Sequence, residues 1–307
     1  MRRLLLAIAI CGAISSAAEY LPLRDGAVSD FMFVVRDDEG NVVPNCKVSV
    51  AFQVEPEKAK LVTGETETDG SFAAKGDNIG EVNVWIRKSG YYDTHVKPQI
   101  RRSPYDRVRE THRWSEGQIV ENVVLKRKRK PMEAIIKAAS YWRPPVTNAW
   151  FAVDFEKRDW CAPYGAGVRE DMRFLYEAWN NPTNFLSWKR RVRMEMPNCL
   201  DGFYLRKVDE SSAFRYDYDA DTNAVYRKSF DFTFDRTSGH ISRHEKFDDG
   251  EYLIFRTRTV TNEAGVVVHG NYGRVSERFD YLLGFRFVAW FNPNDLDTNL
   301  EDGRAWE

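Results

Sequence analysis

Short alternating segments between turn-forming residues constrain the fold of this chain more than any other feature. Residues 230–234 place phenylalanine at every second position, and residues 82–87 alternate valine or isoleucine with larger or polar side chains. A period of two puts one apolar face on a β-strand. Pairs such as Asp69-Gly70 and Asp249-Gly250 favour tight turns between such segments. The pattern predicts a mainly all-β fold built from antiparallel strands.

Composition is that of a globular protein with enough apolar material for a core. The chain has 307 residues, of which 43% are hydrophobic and 14% aromatic, and its formal net charge is −1. A dedicated nucleic-acid-binding protein would usually carry a basic surplus, so we expect no nucleic-acid partner. The length favours two domains.

The N-terminal residues predict export. Arg2 and Arg3 precede an apolar run over residues 4–14, which is too short to span a bilayer. The small residues 16–18 then suit a signal peptidase, so residues 1–18 are predicted to be a signal peptide. An uncleaved anchor is the alternative. The mature protein is therefore expected in the periplasm, on the cell surface or outside the cell, with no membrane span after cleavage.

The cysteines predict no disulfide scaffold. Cys11 lies in the signal peptide, and Ile10 before it disfavours lipidation, because a lipobox has a small residue there. Of the remaining Cys46, Cys161 and Cys199, the last two share a predicted domain and could pair in an oxidising compartment. Burial of all three as small apolar residues is the alternative.

Residues 34–50 (VVRDDEGNVVPNCKVSV), 66–72 (TETDGSF) and 82–92 (VNVWIRKSGYY) carry a family resemblance. Together they resemble carboxypeptidase regulatory-like domains, which are transthyretin-like β-sandwiches. The resemblance implies a small immunoglobulin- or transthyretin-like β-sandwich over residues 19–125. It does not imply peptidase activity, because no histidine in the chain is followed three residues later by glutamate.

A linker is predicted over residues 126–147, which begin with the basic run KRKRK. A second antiparallel β-rich domain is predicted over 148–307, with strands that include 188–196, 203–208, 214–218 and 226–234. Residues 128–138, 154–167 and 271–301 resemble segments of uncharacterised exported bacterial proteins. That resemblance implies an exported architecture but no reaction.

Acidic and aromatic residues cluster between residues 154 and 171, outside any clear strand. Carboxylates near aromatic platforms suit sugar hydrolysis or sugar binding. They also suit a salt-bridged loop around buried aromatics, which is the interpretation that the residues favour. Two carboxyl groups converging in a cleft would favour a hydrolase. The candidate binding residues are Asp154, Asp159, Trp160, Tyr164 and Asp171.

Two further patterns are weaker. Asp217-x-Asp219-x-Asp221 imitates the start of a calcium loop, but Thr222 stands where an EF-hand has glycine. His240 and His244 are two alternations apart on a predicted strand. We therefore assign no metal site, no cofactor and no catalytic residue.

These observations predict an exported non-catalytic binding or structural protein, whose partner is a carbohydrate or another surface protein. A glycan-active hydrolase using carboxylates near residues 154–171 is the alternative.

Processing gives the first testable prediction. Cleavage after Ala18 should give an exported protein that starts at or near Glu19 in intact-mass spectrometry. An exported fraction that retains Met1 would contradict it.

Overall fold

A computed structural model describes residues 27–55, 57–98, 118–133, 135–140, 143–184, 186–209, 211–237, 240–244, 250–275 and 288–303. Helices are absent from these ranges and strands dominate them, which confirms the mainly all-β prediction. The chain divides into two compact units. The first comprises Met1–Lys128 with Ser211–Ala213, and the second comprises Arg129–Glu210 with Phe214–Glu307. The predicted signal peptide, residues 1–18, lies outside the described residues.

The first unit contains two sheets. Its strands are β1 (Ala27–Asp37), β2 (Lys47–Glu55), β3 (Lys58–Glu65), β4 (Ser71–Asn78), β5 (Val82–Arg87), β6 (Thr94–Val96) and β7 (Ile119–Leu125). One sheet has the order β4-β1-β7 and the other β3-β2-β5-β6. Every pair is antiparallel except β1 with β7, which run parallel.

Alternate residues of both sheets form one core in the first unit, including Phe31, Phe33, Val50, Phe52 and Val84. The turn after β1 follows from its sequence. The Asp37 carboxylate accepts backbone N–H bonds from Glu39 and Asn41, and Gly40 takes a φ of 87°, which glycine adopts most readily.

The second unit also has two antiparallel sheets. Its strands are β8 (Ile136–Ser140), β9 (Trp150–Asp154), β10 (Asp159–Trp160), β11 (Met172–Asn180), β12 (Trp188–Glu195), β13 (Gly202–Lys207), β14 (Ser229–Thr237), β15 (His240–His244), β16 (Glu251–Thr261), β17 (Val267–Val275) and β18 (Val288–Phe291). A six-stranded sheet has the order β10-β9-β11-β12-β14-β15. A five-stranded sheet has the order β13-β16-β17-β18-β8.

Inward-facing residues of both sheets build the core of the second unit. The six-stranded sheet contributes Phe174 and Phe232, and the five-stranded sheet contributes Phe255 and Phe291. Phe155 stacks on Phe255 with ring centroids 4.8 Å apart, which joins the sheets through one aromatic contact. Because side chains alternate along a strand, the other half of the six-stranded sheet's residues must face outwards.

The structure differs from the sequence-based strand assignment at several places in the second unit. Residues 136–140 of the predicted linker form β8, because they pair with β18. Residues 214–218 are not a strand, although Phe214 and Tyr216 are buried as their alternation suggested. The strands β9 and β11 were not predicted, and both contribute to the candidate site.

Candidate functional site

Arg258 is the centre of the acidic cluster that the sequence singled out. It lies at an irregularity in the pairing of β16 with β17 and has a φ of 58°. The Asp201 carboxylate accepts backbone N–H bonds from Arg258 and Thr259, which holds this bulge in place. A β-bulge redirects a side chain, and here the guanidinium group points towards the six-stranded sheet.

Three carboxylates surround that guanidinium group. Arg258 Nε donates to Asp171 Oδ1 at 2.7 Å, and Nη2 donates to Asp171 Oδ2 at 2.9 Å. Nη1 contacts Glu156, and Nη2 lies 3.4 Å from Asp154 Oδ1. Burial disfavours the charged guanidinium, but its bonds to Asp171 and Glu156 outweigh that effect and raise the pKa of Arg258.

Asp154 and Asp159 use their remaining oxygens to hold the backbone of the loop that follows β9. Asp154 accepts N–H bonds from Lys157, Val168 and Arg169. Although burial favours its neutral form, these donors and Arg258 lower the pKa of Asp154. Asp159 similarly accepts bonds from the backbone N–H groups of Trp160 and Ala166. Both acids therefore shape the loop.

The two aromatic candidates differ in exposure. Trp160 is 8% exposed and meets Phe151 edge-on at a centroid distance of 5.0 Å and Phe174 at 6.2 Å. It is part of the core and has no free face for a ligand. Tyr164 is 36% exposed and is the one aromatic of the pair that solvent reaches.

The predicted set Asp154, Asp159, Trp160, Tyr164 and Asp171 is therefore close in space but is not arranged as a binding pocket. Asp154 and Asp171 are almost completely buried, and each of the four acids in the cluster bonds to Arg258 or to backbone N–H groups. A glycosidase needs a carboxyl pair that faces the substrate. The geometry of this cluster disfavours the hydrolase alternative.

The three cysteines in the described part of the chain, Cys46, Cys161 and Cys199, are free thiols. Cys161 is buried and donates through Sγ to the carbonyl oxygen of Arg169 at 3.2 Å, whereas Cys199 is exposed, so the structure does not pair them. Burial and the neighbouring carboxylates, Asp154 first among them, raise the pKa of Cys161 to about 11. A thiol with so high a pKa is a poor nucleophile near neutral pH.

The outward face of the six-stranded sheet, formed by alternate residues of β9, β11, β12 and β14, has the features of a binding surface. We call it the outer face. Its position follows from the core, because Phe174, Val192 and Phe232 point inwards and their neighbours in sequence point out. The outward residues of the three long strands are Arg173, Leu175, Glu177, Trp179, Lys189, Arg191, Arg193, Glu195, Asp231, Thr233 and Asp235.

Two tryptophans lie on the outer face. Trp150 begins β9 and is 38% exposed, while Trp179 near the end of β11 is 53% exposed. The guanidinium carbon of Arg173 lies 5.2 Å from the centroid of the Trp150 ring, so a cation–π contact helps to fix that ring. Tryptophan is enriched at interfaces, because its ring combines a large apolar surface with a polar N–H group.

Ion pairs lie beside the tryptophans on the outer face. Arg173 bonds to Glu195 at 2.9 Å, and Arg191 bonds to both Asp231 and Glu177. The bonds from Arg191, with weaker ones from Arg193, lower the pKa of Asp231. The side chains of these groups remain between about a quarter and two fifths exposed. They can therefore still donate to, and accept from, a ligand.

The other sequence-derived candidates do not form a metal site among the described residues. Asp217 pairs with Arg206 at 2.6 Å, Asp219 accepts from Thr298, and Asp221 accepts from the backbone of Asn223, so the three carboxylates have separate partners. His240 and His244 lie in β15. Asp248, which the same alternation predicts as a third ligand, lies outside the described residues. Within the described part of the chain, no helix is long and apolar enough to cross a membrane.

No protein-family model and no curated protein matches this chain. Among solved structures it resembles 3-chlorocatechol 1,2-dioxygenase from Rhodococcus opacus (10% identity, 34% of this chain, TM-score 0.25) and catechol 1,2-dioxygenase from Acinetobacter radioresistens (14%, 34%, 0.27). The match spans 61% and 53% of those dioxygenases. A candidate carbohydrate-binding protein from Bacteroides uniformis matches over 90% of this chain and 100% of its own, at 9% identity and a TM-score of 0.22. Similarities this low do not establish a shared function.

Removing Arg258 should strongly destabilise the second unit. In Arg258→Met, Asp154 and Asp171 stay buried without their counter-charge, which typically costs about 3–5 kcal/mol. Urea unfolding followed by tryptophan fluorescence measures the loss of unfolding free energy. A variant that does not fold would also support the prediction. Arg206→Met is the matched control, because Arg206 and Asp217 form an exposed pair worth less than about 1 kcal/mol. Equal small losses in both variants would contradict the central role of Arg258.

Proposed function

We propose that this chain is an exported, non-catalytic binding protein of the periplasm, cell surface or extracellular space, and that it binds glycans through the outer face. The signal-peptide pattern of residues 1–18 supports export. We also propose, from its sequence motifs, that the first unit is a carboxypeptidase regulatory-like module. Such modules accompany other domains as structural or binding units.

One observation carries the glycan assignment: two exposed indole rings flank an array of polar groups on one open sheet. Trp150 and Trp179 offer apolar surfaces against which the C–H face of a sugar ring can pack. The carboxylates and guanidinium groups beside them offer acceptors and donors for hydroxyl groups. A surface that combines both suits a polyhydroxylated ligand better than an apolar protein segment.

A binding role without catalysis fits the state of the acidic residues. On the outer face, Glu177, Glu195 and Asp231 each bond to an arginine. A general acid needs a pKa raised towards neutral pH, and the pKa of Asp231 is lowered instead. The array therefore favours recognition over proton transfer.

Loss of binding on removal of either tryptophan tests the proposal. The mature protein should be retained by at least one polysaccharide in a panel examined by affinity electrophoresis and pull-down. Trp150→Ala and Trp179→Ala should each weaken that binding by about tenfold or more, as expected for an aromatic at the centre of an interface. Their melting temperatures should barely change, because both rings are exposed.

Two matched variants control for a general loss of aromatic surface. Trp85→Ala removes a tryptophan of similar exposure, 36%, from the first unit, and Tyr164→Ala removes the exposed member of the sequence-predicted set. Both should bind like the wild type. Retention of full binding by the Trp150/Trp179 double variant, or no binding to any polysaccharide, would refute the proposal. In the second case a protein partner would become the leading alternative.

A further inference from the structure

We propose that the ligand of the outer face is a neutral, polymeric glycan that is bound as a chain segment reaching from Trp150 to Trp179. This inference rests on the proposed function and specifies its ligand class. Two properties of the face carry it: the pairing of its charges and the separation of its two tryptophans.

Every charged residue that the three long strands direct to the outer face has an opposite charge directly across from it. The strand register pairs Arg173 with Glu195, Glu177 with Arg191, Lys189 with Asp235 and Arg193 with Asp231. Four cations thus face four anions, and the face as a whole is neutral. Electrostatic attraction therefore gives a polyanionic glycan no advantage over a neutral one.

The bonds within this array also disfavour an acidic ligand. Arg191 bonds to Asp231 through Nε at 2.9 Å and to Glu177 through Nη1 at 3.3 Å, and Arg193 Nε lies 3.3 Å from Asp231. At these arginines, a uronate or sulfate group would have to displace a carboxylate and leave it without its counter-charge. A hydroxyl group can instead bond to the remaining N–H groups and lone pairs without breaking a pair.

Mutual pairing also holds the polar groups in place before a ligand arrives. A guanidinium group between two carboxylates loses less rotamer freedom on binding than a free arginine would. Side chains that are pre-arranged on strands give a flat, rigid pattern of donors and acceptors. Such a pattern suits a repeating ligand, whose successive rings present similar hydroxyl groups.

The spacing of the tryptophans indicates a chain and not a single sugar. Trp150 pairs with Leu175, and Trp179 lies four residues further along β11. At about 3.4 Å per residue, the two positions are about 14 Å apart along the strand. A single sugar ring is about as large as one indole ring, so a monosaccharide can contact only one platform. A longer chain can contact both, and the second contact is then effectively intramolecular.

Oligosaccharide ladders test this inference by calorimetry on the full-length mature protein. The neutral probes are the cello-, xylo-, manno- and malto-oligosaccharides from one to six units, and the acidic probes are hexagalacturonate and an alginate hexamer. At least one neutral hexasaccharide should bind at least tenfold more tightly than its monosaccharide. Its Kd should change less than twofold between 50 and 500 mM NaCl, because no net charge is screened.

The variants separate chain binding from two independent weak sites. In Trp179→Ala the affinity for the hexasaccharide should fall at least tenfold, towards the affinity for the shortest probes. The affinity should then depend only weakly on the length of the oligosaccharide. Preferred binding of an acidic hexamer with tenfold weakening in 500 mM salt, or equal affinity for monosaccharide and hexasaccharide, would overturn the inference but leave glycan binding intact. Absence of binding to every probe and every polysaccharide would overturn the proposed function as well.

Discussion

The bidentate contact between Arg258 and Asp171 organises the second unit. Arg258 belongs to the five-stranded sheet and Asp171 directly precedes β11 of the six-stranded sheet, so one buried ion pair ties the two sheets together. Asp154, at the end of β9, binds the same guanidinium group and the loop backbone. Because a buried charge must be paired, this contact holds the end of β9 and the start of β11 in place.

The strands β9 and β11 each contribute to the core on one face and to the proposed binding surface on the other. Phe151 and Phe174 point into the core, while the adjacent Trp150 and the more distant Trp179 point to solvent from the same two strands. The pleat of a strand imposes this division, since successive side chains lie on opposite faces. The buried acidic cluster thus serves the outer face indirectly, by holding the strands that present its aromatic platforms.

Sequence patterns were sufficient to predict turns and strands whose conformation depends on residues close together in the chain. The Asp69-Gly70 turn and the period-two phenylalanines of residues 230–234 both lie where expected. The acidic cluster could not be interpreted from sequence, because its partner Arg258 is 87 residues from Asp171 along the chain. β11 was missed because the apolar Leu175 and Trp179 among its outward residues obscure the alternation. Its cross-strand pairs appear only once β12 is in register.

The location of ligand contacts tests the account most directly. The chain has nine tryptophans, so nine indole N–H signals are expected in a nitrogen–proton NMR spectrum, and single Trp→Phe variants assign them. On titration with the tightest-binding neutral hexasaccharide, the signals of Trp150 and Trp179 should shift and saturate together, while those of Trp160 and Trp85 stay in place. Shifts at Trp160 with none at Trp150 or Trp179 would move the site back to the loop around the acidic cluster and contradict the account.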